Sequence, residues 1–272
     1  MTRLVRCSMV QEVGPNVDMI FSIAVHPSHR IESESLTFTM AGEAVPVREL
    51  INVDGGRLHR VVAPGGLLDI EYEATVGYPA APEPFTEIGL MQYQRPSRYA
   101  ESDVLFRHAR SLFTGLTGSA LLHAVAEYVN TTLTYSPANT TPTDSAVTTL
   151  NTAHGVCRDF SHLTIALLRA MDVPARYVAC YAPGLVPMDF HAVTEAFVEG
   201  AWHVVDTTGL ADPTHLVRIA SGRDAADCAF LTFHGGSARL KRMRIDAWLQ
   251  SGDERIDPSP HAYDRTQLAR IC

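Results

Sequence analysis

The sequence predicts an α+β fold, in which a small β-sandwich is followed by helices packed on an antiparallel sheet. Three observations lead to this fold class. Alternating stretches divided by Gly and Pro turns fill residues 3–78, apolar residues at three-to-four-residue spacing occur between 104 and 171, and two alternating strands lie between 191 and 206. Each pattern has the period of one kind of element, so the order of elements follows from the chain.

The composition is that of an ordinary globular protein. The 272 residues are 46% hydrophobic, enough for one large domain or two modest ones. The formal charge is -8 and no basic run with interleaved aromatics is present, so we expect no nucleic-acid partner.

Two arginines and a cysteine interrupt residues 1–10, and no segment reaches transmembrane length. We therefore expect no signal peptide, no membrane partner and a cytoplasmic location. The sequence leaves open whether the chain forms a homo-oligomer.

The N-terminal region has the pattern of short strands. Alternation is clearest in the stretches 19–25, 35–40, 58–62 and 67–76, which are separated by Gly-Gly and Pro-containing turns. We therefore predict a β-sandwich domain over residues 1–80. Its role should be architectural, because its His and Glu residues form no cluster that chemistry would need.

A Pro-rich segment follows this domain, with Pro79, Pro82, Pro84 and Pro96 and no hydrophobic period. It predicts a linker or a wrapping connection over residues 81–100.

The remainder, residues 101–272, is predicted to be the catalytic domain. It begins with apolar stripes at helical spacing in 104–112 and 121–129, which predict two helices with core-facing sides.

Cys157 is the strongest candidate for chemistry. Apolar residues from Phe160 to Met171 recur at helical spacing, which predicts a helix that starts near Cys157 and stops before Pro174. Gly155 would supply the backbone freedom for a tight turn into this helix. A helix N-terminus stabilises negative charge, and the thiolate is the reactive form of cysteine. The position therefore favours a nucleophile.

The neighbouring polar residues and the remaining cysteines have structural interpretations. Asp159 and His162 are off the cysteine's face of the helix, so we expect a first-turn anion and a hydrogen-bonded helix residue. Cys180 lies in an alternating strand, where a small buried hydrophobe is the better interpretation. An odd number of widely spaced cysteines without a C-x-x-C pair predicts no disulfide framework. The five are Cys7, Cys157, Cys180, Cys228 and Cys272.

The predicted hairpin 191–206 contains a candidate base, His191, and a candidate orienting group, Asp206. A two-residue Glu-Gly turn at 199–200 sets a register in which His191 faces position 208. Asp206 is one side-chain period away from that position, so it should be the diagonal neighbour of His191 on the same face. The same register places His203 on the opposite face. We therefore predict that His191 and Asp206 form a carboxylate–imidazole pair.

Three motifs, in this order along the chain, resemble the transglutaminase-like superfamily of bacteria. They are Gly-Val-Cys-Arg-Asp-Phe-Ser-His at 155–162, Arg-Ala-Met-Asp-Val-Pro-Ala-Arg-Tyr-Val at 169–178, and Asp-Phe-His-Ala at 189–192 followed by Val-Asp-Thr-Thr at 205–208. The segment 95–103 and the β domain before it are similar to the N-terminal region attached to many bacterial members. The resemblance therefore extends over most of the chain.

This resemblance implies a papain-like core, with the cysteine on a helix packed against an antiparallel sheet that carries the His and the Asp. It also implies a triad of Cys157, His191 and Asp206 that works through a thioester acyl-enzyme. We favour a peptidase or amidase acting on peptide or amide bonds, because features specific to cross-linking are not visible. A transglutaminase with an amine acceptor and a non-catalytic binding scaffold are the alternatives.

The sequence indicates only some of the groups that would stabilise the oxyanion formed when Cys157 attacks a carbonyl. The backbone N–H of Cys157 is a candidate donor because it lies at a helix start. Tyr135 and Asn139 are upstream candidates for the oxyanion site or the cleft, and His154 is a candidate neighbour of the thiolate. The loop 182–188 precedes His191 and is predicted to border the substrate cleft.

We expect neither a cofactor nor a metal. Eukaryotic cross-linking relatives use calcium, and no loop rich in Asp and Asn with coordinating spacing is visible here. A zinc site from His154, Cys157 and His162 matches no common spacing of zinc ligands.

Overall fold

The fold was analysed in a computed structural model that describes residues 1–78, 85–259 and 267–271. Within these ranges the chain has the predicted α+β architecture. The end of the predicted N-terminal domain with Pro79, the start of the predicted linker with Pro82 and Pro84, and Cys272 lie outside the described residues.

The N-terminal region folds into strands, as its alternation predicts. In β1, for example, Val5, Cys7 and Met9 are all fully buried while the residues between them are not. The four alternating stretches that predict strands, 19–25, 35–40, 58–62 and 67–76, overlap β2, β3, β6 and β7. In chain order the strands are β1 (Thr2–Val13), β2 (Val17–Phe21), β3 (Arg30–Met40), β4 (Glu43–Ala44), β5 (Arg48–Ile51), β6 (Arg57–Ala63) and β7 (Gly66–Gly77).

The middle of the chain is helical, and the two predicted stripes become α2 and α3. A short helix, α1, also forms within the expected linker, because the Thr86 hydroxyl caps it by accepting the Gly89 N–H at 3.0 Å. Over the described ranges, the helices are too short or too polar to cross a membrane. They are α1 (Glu87–Gln92), α2 (Phe106–Leu112), α3 (Gly118–Thr132), α4 (Ala146–Thr152) and α5 (Cys157–Ala170).

The C-terminal part of the chain returns to strands. Four of them form an antiparallel sheet in the order β12-β11-β10-β13, and α5 packs on β11 and β10 of this sheet. Two short strands, β8 (Thr134–Tyr135) and β9 (His154–Gly155), pair in parallel immediately before α5. The remaining strands are β10 (Ala175–Tyr181), β11 (His191–Val198), β12 (Ala201–Val205), β13 (Val217–Gly222), β14 (Leu231–His234), β15 (Ala238–Ser251) and β16 (Glu254–Ile256).

The last three strands do not belong to a catalytic domain running from 101 to 272, so that predicted boundary is wrong. β15 pairs antiparallel with β1 along the whole of β1, and β14 pairs with β2. The sandwich therefore consists of one sheet in the order β16-β15-β1-β7-β3-β4 and a second in the order β14-β2-β6-β5. Without β15, the buried strand β1 would be left as an open sheet edge. This pairing spans most of the chain, which is why local periodicity did not reveal it.

Buried hydrogen bonds fasten the sandwich to the four-stranded sheet β12-β11-β10-β13 and the segment before β13. The Arg3 guanidinium donates to the carbonyl oxygens of Gly77, at 2.6 Å, and of Leu216, at 3.1 Å. The Tyr181 hydroxyl, on β10, donates to the Ile23 carbonyl at 2.7 Å. Because these donors are buried, separating the two parts would leave polar groups unsatisfied, and this favours a fixed arrangement.

Replacing Ile245 by Ala should lower the free energy of unfolding by about 2–5 kcal/mol, the usual loss when a buried Ile is truncated. Ile245 lies on β15 and is only 5% exposed, so its side chain belongs to the sandwich core. Urea denaturation followed by tryptophan fluorescence would measure the change. Leu240→Ala is the matched control, because Leu240 lies on the same strand but is 41% exposed. Equal losses in the two variants would contradict the placement of β15.

Candidate active site

Cys157 is the first residue of α5, as the sequence predicts. Asp159, in the first turn, accepts the backbone N–H of Val156 at 2.9 Å and so caps the helix. Every residue from Asp159 to Ala170 is buried, whereas Cys157 is half-buried. The thiol is therefore held by a rigid element and remains open to a reactant.

Gly155 is required for space and not, as expected, for backbone freedom. Its φ does not lie in the left-handed region that favours glycine. A Cβ on Gly155 would instead lie 2.5 Å from the Cβ of Asp159, far inside normal contact. The close approach of the chain at this point is what lets Asp159 reach the start of the helix.

The buried carboxylate of Asp159 is neutralised locally. Arg158 donates to its Oδ1 from Nε at 2.9 Å and from a terminal nitrogen at 2.7 Å. The Thr140 hydroxyl donates to Oδ2 at 2.7 Å, and Arg158 also donates to the Thr141 carbonyl at 2.7 Å. The cation next to Cys157 in the sequence is therefore engaged with Asp159 and its neighbours.

His191 and Asp206 meet as the predicted register requires. β11 and β12 pair with Val198 opposite Ala201, and the two turn residues at 199–200 have φ values of 54° and 78°. His191 Nε2 lies 3.0 Å from Asp206 Oδ2. His203 is elsewhere on the ladder, opposite an alanine of β11. The diagonal contact inferred from the sequence is thus present.

The two groups shift each other's pKa. Burial would lower the pKa of His191, but the charge and hydrogen bond of Asp206, with a further contribution from Cys157, raise it to about 10. Burial would raise the pKa of Asp206, but His191 and Thr208 outweigh it and lower that pKa. These opposite directions describe a buried ion pair. Because Asp206 occupies Nε2, the ring nitrogen left for the hydrogen bond with Cys157 is Nδ1.

Asp206 is itself held in place by residues that sequence reasoning left without a role. The backbone N–H and the hydroxyl of Thr208 donate to Oδ1 at 2.9 and 2.7 Å. The hydroxyls of Thr207 and Thr164 lie 3.3 Å apart, which links this turn to α5. An Asp side chain often accepts a hydrogen bond from the backbone two residues later, in an Asx turn. This pattern is the local signal that could have identified Thr208.

Tyr135 is the cleft candidate that the fold brings to Cys157. It pairs with Gly155 through β8 and β9, two residues before the cysteine. Its hydroxyl lies near both the backbone N–H and the side chain of Cys157, because both groups act on its pKa. Burial, together with the charge of Cys157, raises the pKa of Tyr135 to about 12, so the hydroxyl keeps its proton. Of the upstream candidates, Tyr135 is therefore the one that lies beside the thiol.

The other polar candidates have partners elsewhere. The side-chain amide of Asn139 donates to a serine hydroxyl in its own turn, and His154 Nδ1 lies 2.6 Å from the Thr152 carbonyl. His162 Nε2 accepts the Ala225 N–H at 3.1 Å, and burial lowers the pKa of His162 to about 3. His162 is thus the hydrogen-bonded helix residue that was expected. His154 and His162 do not converge on the cysteine as zinc ligands would.

The other described cysteines are buried thiols. Burial raises the pKa of Cys7 to about 12 and the pKa values of Cys180 and Cys228 well above the usual range. Cys180 Sγ donates to the His191 carbonyl at 3.6 Å, directly behind the candidate site. Its expected role as a small buried side chain agrees with this position. Among the described cysteines, Cys157 is the accessible one.

A cavity of about 370 Å³ borders the carboxylate end of this site. It lies between α3 and the end of β12, and its walls include Leu122, Ala126, Val205 and Asp206. Its lining combines aliphatic side chains with polar ones such as Asn130 and Asp206, and most of the exposed surface is apolar. The orienting carboxylate is therefore next to a space that a small apolar group could fill.

The described geometry is that of a papain-like core: a thiol at a helix start faces an imidazole and a carboxylate on an antiparallel sheet. The family model of the transglutaminase-like superfamily matches residues 113–207. A candidate cysteine protease from Cytophaga hutchinsonii has a crystal structure that is similar over 96% of this chain and 94% of its own, at 30% identity and a TM-score of 0.85. The chain belongs to the transglutaminase-like superfamily.

A curated relative shares only part of the chain. An uncharacterised protein of Mycobacterium leprae is 32% identical over 114 residues, which are 39% of this chain and 41% of that protein. This chain therefore spans less than half the length of the curated relative it matches. The similarity to the Cytophaga hutchinsonii protein, by contrast, includes both the sandwich and the core.

The pKa of His191 should fall markedly in Asp206→Asn, because Asp206 is the largest cause that raises it. The pKa of His191 is about 10 in the folded state and about 6.5 in the unfolded state, so protonation of His191 stabilises the fold fully below about pH 6.5. This stabilisation is lost as the pH rises towards 10. The free energy of unfolding should therefore decline over this window, and less steeply in Asp206→Asn. NMR titration of the His191 ring and urea denaturation at each pH would measure both.

Cys157→Ser is the control for that experiment, because it leaves Asp206 in place and should keep the His191 pKa raised. A wild-type ring that titrates near 6.5 would show that the ion pair is absent.

Proposed function

We propose that this protein is a cysteine-dependent acyl-transfer enzyme that hydrolyses peptide or amide bonds. Cys157 is the nucleophile, His191 the general base and acid, and Asp206 the group that orients the imidazole. The observation that carries the proposal is the continuous contact from the Cys157 thiol to His191 and from His191 Nε2 to Asp206, 3.0 Å away. The helix start and the single accessible thiol among the described cysteines support it.

Acylation begins when the Cys157 sulfur, having given its proton to His191 Nδ1, attacks the carbonyl carbon of the substrate. The carbon–oxygen π electrons move to the oxygen and form a tetrahedral oxyanion. When this intermediate collapses, the carbon–nitrogen bond breaks and the amine takes the proton from His191. The products are a free amine and a thioester on Cys157. Asp206 keeps the ring oriented and stabilises its charged form throughout.

The oxyanion would be stabilised at the start of α5. The backbone N–H of Cys157 is one donor, and the Tyr135 hydroxyl, which lies near both this N–H and the thiol, is the second. Because the pKa of Tyr135 is raised to about 12, the hydroxyl remains a donor at neutral pH.

Deacylation decides the class of enzyme. With His191 as base, water attacks the thioester and releases a carboxylic acid, or a primary amine attacks and forms a new amide. The structural relative from Cytophaga hutchinsonii is described as a candidate cysteine protease, and this favours water as the acceptor. Transfer to an amine uses the same residues and is the second candidate, because family membership is compatible with either acceptor.

A cytoplasmic site of action is in keeping with this chemistry. The described cysteines are free thiols, and a reducing compartment preserves such thiols. Fractionation of the source cells with an antibody to the protein would test it, and recovery outside the cytoplasm would contradict it.

Cys157 should be the cysteine that iodoacetamide alkylates fastest in the native protein between pH 5 and 9. Its reaction should lose this advantage in His191→Ala, because the thiolate would lack its imidazole partner. Peptide mass spectrometry after timed quenching measures the rate at each cysteine. The buried thiols of Cys7, Cys180 and Cys228 are internal controls. A Cys157 that reacts no faster than these would overturn the catalytic proposal.

Incubation with a peptide library should produce new termini that are lost in Cys157→Ala, and Cys228→Ala is the matched control. Tyr135→Phe should reduce kcat by about 10²–10³-fold, the usual range for removing one oxyanion donor. Mass spectrometry with and without a small primary amine measures the partition between acceptors. Incorporation of the amine in preference to water would identify a transferase, and no turnover with any peptide would contradict the proposal.

A further inference from the structure

The short strand β8 has one side that pairs with β9 and one side that does not. The Thr134 N–H donates to the Ala153 carbonyl and the Ser136 N–H donates to the Gly155 carbonyl, both at 2.9 Å. Backbone groups of successive strand residues point to alternate sides of the strand. The N–H and C=O of Tyr135, which lies between these two donors, therefore point away from β9.

Within the described ranges, this edge of β8 is uncovered. β8 and β9 form a sheet of two strands, and both residues of β8 are exposed, Tyr135 by 42%. No hydrogen bond joins the backbone N–H or C=O of Tyr135 to another described residue. An extended chain could therefore pair with Tyr135 without displacing any described part of the fold.

The uncovered edge lies close to the candidate nucleophile. Tyr135 is the ladder partner of Gly155, which precedes Cys157 by two residues. The ring of Tyr135 lies 6.0 Å from the ring of Phe160, in the first turn of α5. Neighbouring strands are about 4.8 Å apart and extended chain rises about 3.3 Å per residue. A chain paired with Tyr135 would therefore reach Cys157 within about five residues.

β8 is held in a fixed position on both sides of Tyr135. Leu133 is buried and donates its N–H to the last turn of α3, at the Val129 carbonyl, 3.0 Å away. After Ser136, Pro137 begins a short 3-10 turn, so β8 cannot extend into a longer ladder. The edge therefore presents one preorganised donor and acceptor at one residue, which is a defined binding site and not a general template for strand pairing.

We propose that the backbone of Tyr135 binds the main chain of an extended polypeptide acyl donor. Its N–H donates to a substrate carbonyl, and its carbonyl accepts a substrate N–H. This rests on the proposed function and names the substrate class as a polypeptide segment, in preference to a small amide. Because all residues share the same main chain, the side chain at the paired position should be weakly selected.

Peptidyl chloromethyl ketones test this pairing without knowledge of the natural substrate. The Cys157 thiolate attacks the methylene carbon, a carbon–sulfur bond forms and chloride leaves. In acetyl-alanine reagents of one to five residues, the rate should rise until the residue paired with Tyr135 is present. In the five-residue reagent, methylating the nitrogen of one alanine should lower the rate about tenfold, because the N–H that Tyr135 accepts is lost. Methylation at the other alanines is the internal control, and mass spectrometry measures each rate.

An amide-to-ester exchange in the enzyme tests the Tyr135 N–H itself. Incorporating 4-hydroxyphenyllactic acid at position 135 by nonsense suppression replaces this N–H by oxygen and keeps the phenol. The rate with the five-residue reagent, divided by the rate with iodoacetamide, should fall about three- to tenfold, the loss expected for one neutral hydrogen bond. Dividing by the iodoacetamide rate removes any change in the thiol.

Phenyllactic acid at position 106 is the matched control for that exchange. Phe106 is 47% exposed and is the first residue of α2, where the backbone N–H has no partner within the helix. The same exchange there should leave the ratio of the two rates unchanged.

The reacting carbonyl could belong to the main chain or to a glutamine side chain, and both donors present the same main chain to Tyr135. Alanine peptides with one 6-diazo-5-oxonorleucine test the second source. The diazo carbon takes a proton, the Cys157 thiolate attacks this carbon and dinitrogen leaves. The same methylation series and ester exchange apply to this reagent. A position-specific loss together with a lower ratio in the ester variant, for either reagent, is the expected result.

Two outcomes would overturn the inference in different ways. If neither reagent shows a position-specific loss, or if the ester exchange leaves the ratio unchanged for both, the role of the Tyr135 backbone is wrong. Cys157 would still show its His191-dependent alkylation in that case, and the proposed function would stand. Absence of that alkylation in the wild type would overturn the proposed function and this inference together.

Discussion

The site depends on α5 being buried along its length except at its first two residues, Cys157 and Arg158. The residues from Asp159 to Ala170 are packed among α2, α3, α4 and the sheet, so this helix has one position in the fold. A fully buried helix needs its terminal N–H groups satisfied, and Asp159 does this from within the first turn. The cost of moving any part of the helix keeps Cys157 in place, while the half-buried end leaves its sulfur reachable.

Buried charges around the site are paired, and the pairs fix the sheet that faces α5. Asp206 is matched with His191, and Glu195 on the same sheet lies between Arg176 and Arg218, at 2.6 and 2.5 Å. A buried pair is weak evidence for stability, but removing one partner leaves a costly unpaired charge. Slippage between these strands would break such pairs, so they hold the register that brings the imidazole to the carboxylate.

The sandwich and the four-stranded sheet form one structure because β15, late in the chain, pairs with β1 at its start. After the four-stranded sheet, β15 pairs with β1, and residues before and after this pairing contact the loop before His191. Phe230 stacks with Phe190, and the Pro258 carbonyl packs against Gly184. The N-terminal domain is therefore more than an attached module: the segments on either side of its last strands also pack against the loop before His191.

The sequence by itself determined the elements whose information is local. The helical period after Cys157 located α5, the Glu-Gly turn at 199–200 fixed the β11–β12 register, and that register placed Asp206 beside His191. The tertiary structure decided what depends on contacts between distant residues. The pairing of β15 with β1 and the approach of Tyr135 to Cys157 have no local period or turn signal. Periodicity shows which face of an element is buried, but only packing shows which surface covers it.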